Sequence, residues 1–242
     1  MAATIGLAEK YNLEYAFPEN SISPKYFPRY FNHLPLVDDK GFYHGVKTIV
    51  ENGHGYNKIG FQESSTDNII LDGYWQSYKY WYFCIDKIRR AFNFDYTTDE
   101  GIVGIHWRFG DYRQLKTKHP IMTERYMLDS INYFLKRGWR NFIFYSDEIY
   151  ECKDFVQRHF PIRNFLSIGF SENKSELQDF ESLMKCQHQI ISNSSFSLMA
   201  ALLNAYPEKI VISPCPDEWY GSENSHLETK DMIPESWIKI TQ

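Results

Sequence analysis

The C-terminal half of the chain alternates short, β-branched apolar runs with longer amphipathic stretches. The runs with strand character are 101–105, 141–145, 164–168, 189–192 and 209–213. The stretches with helical periodicity are 124–137, 148–159, 175–186 and 196–205. Strand and helix patterns that alternate in this way predict βαβ units around a parallel sheet. We therefore expect residues 96–242 to form one α/β lobe.

The N-terminal part has a less regular pattern. A helix-like opening is followed by the proline-punctuated loop from Phe17 to Pro35, a region of strands and turns at 41–72 that contains glycine, and a helix near 77–93. Glycine and proline in such clusters are typical of turns and loops. The sequence thus predicts a smaller lobe over residues 1–95, with the boundary near the polar turn at 95–100.

Polar side chains follow three of the predicted strands. His106, Arg108 and Asp111 come after the first, Asp147 after the second, and 193–195 after the fourth, where a helix begins. Since the carboxyl ends of parallel strands meet at one edge of a sheet, these groups should lie together. A guanidinium and a helix N-terminus both bind anions. This pattern predicts a phosphate or diphosphate site.

Each of these residues also has a structural interpretation. Asp111 could form a salt bridge with Arg108 or Arg113, and His106 could be a buried histidine with its hydrogen bonds satisfied. Residues 193–195 could simply cap a helix. Asp179, at the start of the helix that precedes them, is either a surface acid or a hydrogen-bond acceptor for a ligand, and its spacing favours the surface.

Composition excludes several classes of protein. A net charge of -5 without a basic stripe argues against a nucleic-acid partner. No segment approaches the roughly 20 apolar residues of an integral membrane span, and no signal peptide is evident. The four cysteines lack C-x-x-C spacing, as in a reduced, cytoplasmic protein. The aromatic content of 17% suits sugar stacking, but core packing explains most such aromatic clusters.

The sequence contains no metal or cofactor motif. It lacks H-E-x-x-H, a zinc-type Cys/His cluster and an Asp-x-Asp pair, so we expect no metal. It also lacks a G-x-S-x-G elbow and a Walker loop. A diphosphate leaving group would then be stabilised by arginine and by the N–H groups of a helix end.

Five blocks of sequence carry a resemblance to a known family. They are His106-Trp-Arg-Phe-Gly-Asp-Tyr112, Ile143-Phe-Tyr-Ser-Asp147, Ile190-Ile-Ser-Asn-Ser-Ser-Phe-Ser197, Leu71-Asp-Gly-Tyr-Trp-Gln-Ser77 with the Lys79-Tyr80 that follows it, and Asp231-Met-Ile-Pro-Glu-Ser-Trp237. In these blocks, and in their order, the chain resembles the α-1,2-fucosyltransferases of glycosyltransferase family 11. The family motifs include His-x-Arg-Arg-Gly-Asp-Tyr and Ile-Ile-Ala-Asn-Ser-Ser-Phe-Ser.

The resemblance implies a GT-B-type fold whose C-terminal lobe is Rossmann-like and binds the nucleotide. It also implies inverting, metal-independent transfer of L-fucose from GDP-fucose to the 2-hydroxyl of a galactose in a glycan acceptor. Arg108 would hold the β-phosphate and stabilise the departing GDP. The remaining implied donor-binding residues are His106 and Asp179 near ribose and guanine, Asp147 in the same pocket, and Asn193, Ser194, Ser195 and Phe196 at the diphosphate.

The catalytic base is not assigned by the resemblance. Asp111, His119 and Glu124 are near enough to Arg108 in sequence to be candidates for a base or for a structural role. A dissociative reaction needs only a weak base.

The chain departs from the family pattern at two places. Phe109 stands where the family usually has a second arginine. The family also opens with a strand and a Gly-Gly-Leu-Gly-Asn-Gln loop before a helix similar to Ala2–Tyr11, which suggests that this chain starts inside that helix. These departures support an alternative, a non-catalytic remnant that binds a nucleotide sugar or a glycan.

Overall fold

A computed structural model describes residues 1–19, 33–38, 46–60, 68–161 and 165–242. The chain divides into two compact units, Met1–Phe94 and Asp95–Gln242. In the described residues the four cysteines are free thiols. No helix in these ranges is long and apolar enough to cross a membrane.

The N-terminal unit combines helices with short parallel strand pairs. Its helices are α1 (Ala2–Tyr11), two 3-10 turns (Tyr78–Tyr80 and Tyr82–Cys84) and α2 (Ile85–Phe92). Its strands are β1 (Phe17–Pro18), β2 (Leu36–Val37), β3 (Val46–Val50) and β4 (Asn68–Asp72), paired as β1 with β2 and β3 with β4. The predicted helix at 77–93 is wrong in its first half, where the chain forms the 3-10 turns instead.

Much of the predicted loop at 17–35 and parts of the region at 41–72 lie outside the described residues. Close packing in the N-terminal unit depends on Gly6 in α1. A side chain at this position would collide with the backbone at Tyr80 and Trp81. The helix can therefore approach these residues, and Ile5 beside it is fully buried.

The C-terminal unit is built on a six-stranded sheet. Its strands are β5 (Asp99–His106), β6 (Asn141–Tyr145), β7 (Ser167–Phe170), β8 (Cys186–Ile190), β9 (Val211–Pro214) and β10 (Ile238–Ile240). The spatial order is β10-β9-β8-β5-β6-β7, and every neighbouring pair is parallel. The predicted α/β class and parallel sheet are confirmed.

Four helices connect these strands. They are α3 (Glu124–Leu135), α4 (Ile149–His159), α5 (Glu176–Lys185) and α6 (Ser195–Leu203). All four agree with the predicted helices to within two residues at each end. Two strands lie three residues from their predicted starts, at β7 and β8. Strand β10 was not predicted, because three residues at a sheet edge carry almost no periodic signal.

The core of this unit lies between the sheet and its helices. Val103 and Ile105 of β5 are fully buried against Phe134, Phe144 and Phe155. Because β5 is central, its apolar run is covered on both faces, as parallel strands require. Beyond this apolar run, the polar side chains of His106 and the residues that follow it lie at the carboxyl end of the strand.

Candidate active site

The sheet has a topological switch point between β5 and β8. From β5 the chain runs outward through β6 and β7, then returns to β8 on the other side of β5 and continues to β9 and β10. In such sheets a crevice opens at the carboxyl ends of the two strands where the direction reverses. Arg108 follows β5 and Ser194 follows β8, so both flank this crevice.

Arg108 lies between two carboxylates. Its Nη2 is 2.8 Å from Oδ1 of Asp111, and its Nε is 3.1 Å from Oδ2 of Asp147. The second oxygen of Asp147 accepts the backbone N–H of Phe109 at 3.0 Å. Within the described ranges, Nη1 has no hydrogen-bond partner, so part of the guanidinium fork is free to bind an anion.

The two carboxylates are not equivalent. The side chain of Asp111 is 57% exposed, whereas that of Asp147 is 24% exposed and is held by the backbone. The less exposed carboxylate, which the backbone also holds, is the one that can fix the orientation of Arg108. Of the two predicted salt bridges, Asp111 makes the one with Arg108, and Arg113 pairs with Glu148 instead.

Phe109 does not leave a gap in the cluster. Its side chain is buried, and its ring centroid is 4.9 Å from that of Trp107. The guanidinium carbon of Arg113 lies 5.5 Å from the centroid of the Phe109 ring. At this position the backbone turns the side chain into the core, so phenylalanine contributes packing there.

Gly110 makes room for the pair of Arg108 and Asp147. A Cβ atom at this position would fall on Oδ2 of Asp147 and lie 3.2 Å from its Cγ. Gly110→Ala should therefore push the carboxylate away from Arg108 and lower turnover roughly 10- to 100-fold through misplacement of the cation. Steady-state kinetics measures this effect. Gly60→Ala is the matched control, because no atom of the described residues lies within 4 Å of its new methyl group. Equal turnover in the two variants would contradict the positioning role of Asp147.

Tyr112 joins the parts of the site, although it was not among the predicted site residues. Its hydroxyl donates to the carbonyl of Asn193 at 3.0 Å, and Arg108 Cζ lies 5.8 Å from its ring centroid. Burial raises the pKa of Tyr112 to about 12, so the phenol remains a donor at neutral pH. Its position four residues after Arg108, in the Gly110–Arg113 turn, is the sequence signal that could have identified Tyr112 as a site residue.

The start of α6 has no capping side chain. Ser194 is the N-cap residue, but its side chain makes no capping hydrogen bond, and the first turn has no acidic residue. The interpretation of 193–195 as a simple side-chain cap is therefore wrong. The first N–H groups of the helix and its dipole are available to an anion.

Asn193 has a different role from its neighbours. Its side chain is 1% exposed, and its Nδ2 donates to the carbonyls of Pro120 at 2.8 Å and Trp219 at 2.9 Å. The amide thus ties two loops to the end of β8. Since the side-chain amide is used within the protein, a ligand would contact the backbone of Asn193.

His106 and Asp179 both lie near Phe196. The His106 ring is buried 5.1 Å from that of Phe196, with Nδ1 2.8 Å from Ser192 Oγ. Burial, and secondarily the charge of Arg108, lower the pKa of His106 to about 3, so it is neutral. Asp179 accepts a hydrogen bond from Ser171 Oγ at 2.5 Å. The adjacent Phe180 ring contacts that of Phe196 at 5.4 Å.

Glu124 is not brought to this cluster. It pairs with Arg158 at 2.6 Å and with His159 at 3.0 Å, where α3 begins and α4 ends. Hydrogen bonds from Arg158 and His159 lower its pKa to about 2. A carboxylate held in this way is a weak base, which favours the structural role predicted as its alternative. No group of three or more metal-ligating side chains occurs in the parts of the chain that the structure describes.

A doubly wound sheet with an arginine and an uncapped helix N-terminus at its switch point is the architecture of nucleotide-binding α/β proteins. The family model of glycosyl transferase family 11 matches residues 52–241. The chain belongs to that family, as its sequence blocks suggested.

Two curated proteins of Escherichia coli are similar to this chain. One is an alpha-1,2-colitosyltransferase, 32% identical over 194 residues, which are 73% of this chain and 64% of that protein. The other is the O-antigen biosynthesis glycosyltransferase WbnK, 28% identical over 140 residues, which are 56% of this chain and 43% of that protein. The matched segments span less than two thirds of either relative.

Proposed function

We propose that the protein transfers L-fucose from GDP-fucose to the 2-hydroxyl of a galactose in a glycan acceptor, with inversion and without a metal ion. The observation that carries this proposal is Arg108 at the switch point, with Nη1 unused and Asp147 holding its Nε. Its charge can stabilise the negative charge that develops on a departing diphosphate. Membership of the family supports the reaction class.

The donor would lie along the crevice between β5 and β8. Its diphosphate would contact Arg108, the N-cap residue Ser194 and the first N–H groups of α6, at Ser195 and Phe196. Its nucleoside would extend towards Asp179, past the buried His106. In this arrangement the chain itself supplies the positive groups that stabilise the negative charge of the leaving group, so no divalent cation is required.

Transfer of colitose is the second candidate, because an alpha-1,2-colitosyltransferase is 32% identical to this chain. Colitose is L-fucose without its 3-hydroxyl. A site that hydrogen-bonds this hydroxyl rejects the deoxy sugar by several orders of magnitude, whereas an apolar site discriminates weakly.

The test is a turnover assay with GDP-fucose and with GDP-colitose, each with a β-galactoside, in the presence and absence of EDTA. We expect an α-1,2-linked fucosyl product, identified by NMR, at a rate that EDTA leaves unchanged. Faster transfer of colitose would favour the second candidate. Calorimetric binding of GDP without any turnover would favour the non-catalytic alternative, and absence of both would refute the nucleotide site.

A further inference from the structure

Three residues near Arg108 in sequence carry groups that can remove a proton, and the structure separates them. Both Nε and Nη2 of Arg108 donate to Oδ1 of Asp111, at 3.2 and 2.8 Å. Glu124 is held in ion pairs with Arg158 and His159. The hydrogen bonds from Arg158 and His159 lower the pKa of Glu124 to about 2, which makes it a weak base, and Asp111 is occupied by the cation that the leaving group requires. His119 is the third candidate.

The imidazole of His119 has no hydrogen-bond partner among the described residues. Its Nδ1 is buried and unpaired. Its ring stacks on Tyr112, with centroids 5.0 Å apart and an interplanar angle of 22°, and meets the edge of Tyr220 at 5.6 Å. Buried polar atoms in proteins almost always have a partner, and an exception points to a function or a ligand.

The loop that carries His119 is held in place by four hydrogen bonds. The carbonyls of Thr117, Lys118, Pro120 and Met122 accept from Glu223, Gly221, Asn193 and Trp107 respectively, at 2.8–2.9 Å. The approach of the 221–223 segment requires glycine at 221, because a side chain there would collide with the backbone of Thr117. Such support fixes a catalytic group in one position before the substrate binds.

His119 also lies at a suitable distance from the cation. In an in-line transfer, the leaving oxygen, the anomeric carbon, the attacking oxygen and the base are each separated by roughly 3 Å, or about 9 Å in all. Arg108 Cζ and the His119 ring lie 5.8 and 5.0 Å from the same Tyr112 ring centroid. Both groups therefore contact one aromatic ring and lie no more than about 11 Å apart, within the span of a reacting sugar.

An open cleft of about 520 Å³ reaches Tyr220, whose ring meets that of His119 edge-on. His119 adjoins the cleft through this ring and does not itself line it. The cleft is also lined by two carboxylates, Asp217 and Glu228, and by Lys230. Aromatic faces and carboxylates are groups that bind sugars, through stacking and through hydrogen bonds from hydroxyls.

We propose that His119 is the catalytic base of the transfer, a proposal that rests on the function proposed above. An imidazole nitrogen takes the proton of the attacking galactose hydroxyl as the new bond from its oxygen to the anomeric carbon forms. The bond from that carbon to the β-phosphate oxygen breaks, and its electron pair leaves with GDP beside Arg108. The proton returns from the imidazolium to solvent after product release.

The charge state of His119 fits this role. Burial lowers the pKa of His119 below its ordinary value, Asp111 raises it and Lys118 lowers it further, with a net decrease. The other titratable groups that face it are the phenols of Tyr112 and Tyr220. The imidazole is therefore unprotonated at neutral pH. Activity should fall as the pH drops through the pKa of His119, because the protonated ring cannot accept a proton.

The test compares His119→Phe and His119→Gln with the parent and with Glu124→Gln. Phenylalanine retains the stacking on Tyr112 but has no nitrogen. We expect kcat to fall about 100-fold or more in both His119 variants, since general base catalysis contributes 10²- to 10⁴-fold. The acid limb of the pH profile should disappear, while calorimetry should give an unchanged Kd for GDP. Imidazole added to His119→Ala should restore part of the rate. Glu124→Gln should stay within about twofold of the parent, since an exposed ion pair contributes little.

A His119→Phe variant with a kcat within threefold of the parent would overturn the base assignment and leave only a packing role. Failure of imidazole to rescue His119→Ala, with the acid limb retained in His119→Phe, would also overturn it. In both cases an active parent shows that the proposed transfer stands. A parent that forms no product from either GDP-sugar refutes the transfer and the base together.

Discussion

Replacing Arg108 with alanine is expected to lower the rate of fucose transfer about 100-fold or more. The departing GDP develops negative charge on its β-phosphate, and a preorganised cation in a crevice stabilises that charge by several kcal/mol. Without Arg108, Asp147 and Asp111 would leave the anion site net negative. We therefore expect the Kd of GDP to rise as well. Steady-state kinetics and calorimetry measure the two effects separately.

Two further variants sharpen this test. Arg108→Lys keeps the charge but loses the fork that contacts both carboxylates, so it should recover only part of the rate. Arg125→Ala is the matched control, because that side chain is 80% exposed and its only ion-pair partner among the described residues, Asp129, is 3.7 Å away. Transfer by Arg108→Ala within a few-fold of the Arg125→Ala rate would refute the assigned role.

Replacing Asn193 with aspartate should produce the largest loss of stability. The Asn193 amide donates to two buried carbonyls, and a carboxylate would place acceptors against acceptors. Unsatisfied buried groups cost about 1–3 kcal/mol each, so the expected loss is about 3 kcal/mol, or roughly 6–12 °C in Tm. Asn132→Asp on the exposed face of α3 is the control, with little expected change. Calorimetric unfolding measures both.

The Asn193→Asp penalty should depend on pH. Burial beside carbonyls disfavours the charged carboxylate, so the pKa of Asp at position 193 would rise above its unfolded value of about 3.9. The folded state then binds the proton more tightly than the unfolded state, and stability decreases as the pH rises between the two pKa values. The Tm difference from the parent should be smaller at pH 4 than at pH 8. A difference that does not change with pH would show that the carboxylate reaches solvent.

The secondary structure of the C-terminal unit could be predicted from local pattern. The four helices α3 to α6 and the strand β6 fall where periodicity places them, because each element buries one face or both. The parallel sheet follows from the alternation of strands and helices. The order of the strands does not follow, since periodicity carries no information on which strands become neighbours.

The candidate site was predicted in part for the same reason. Arg108 and Ser194 could be assigned to one sheet edge, because the chain direction alone brings the carboxyl ends of parallel strands together. The contacts of Glu124 with Arg158, and of Asn193 with Pro120 and Trp219, could not be foreseen. These pairs are 26 to 73 residues apart in the chain, and their contacts depend on how helices and loops pack.

The sequence by itself determined the class of fold, the family and the residue types at the carboxyl edge of the sheet. Hydrophobic periodicity and ordered motifs are local properties, and they can be read without knowing any long-range contact. Only the tertiary structure decided that β5 and β8 enclose the crevice, that Asp147 holds Arg108, and that Tyr112 contacts both Arg108 and His119. These arrangements depend on distances between segments remote in sequence, which are set when the side chains of the core pack together.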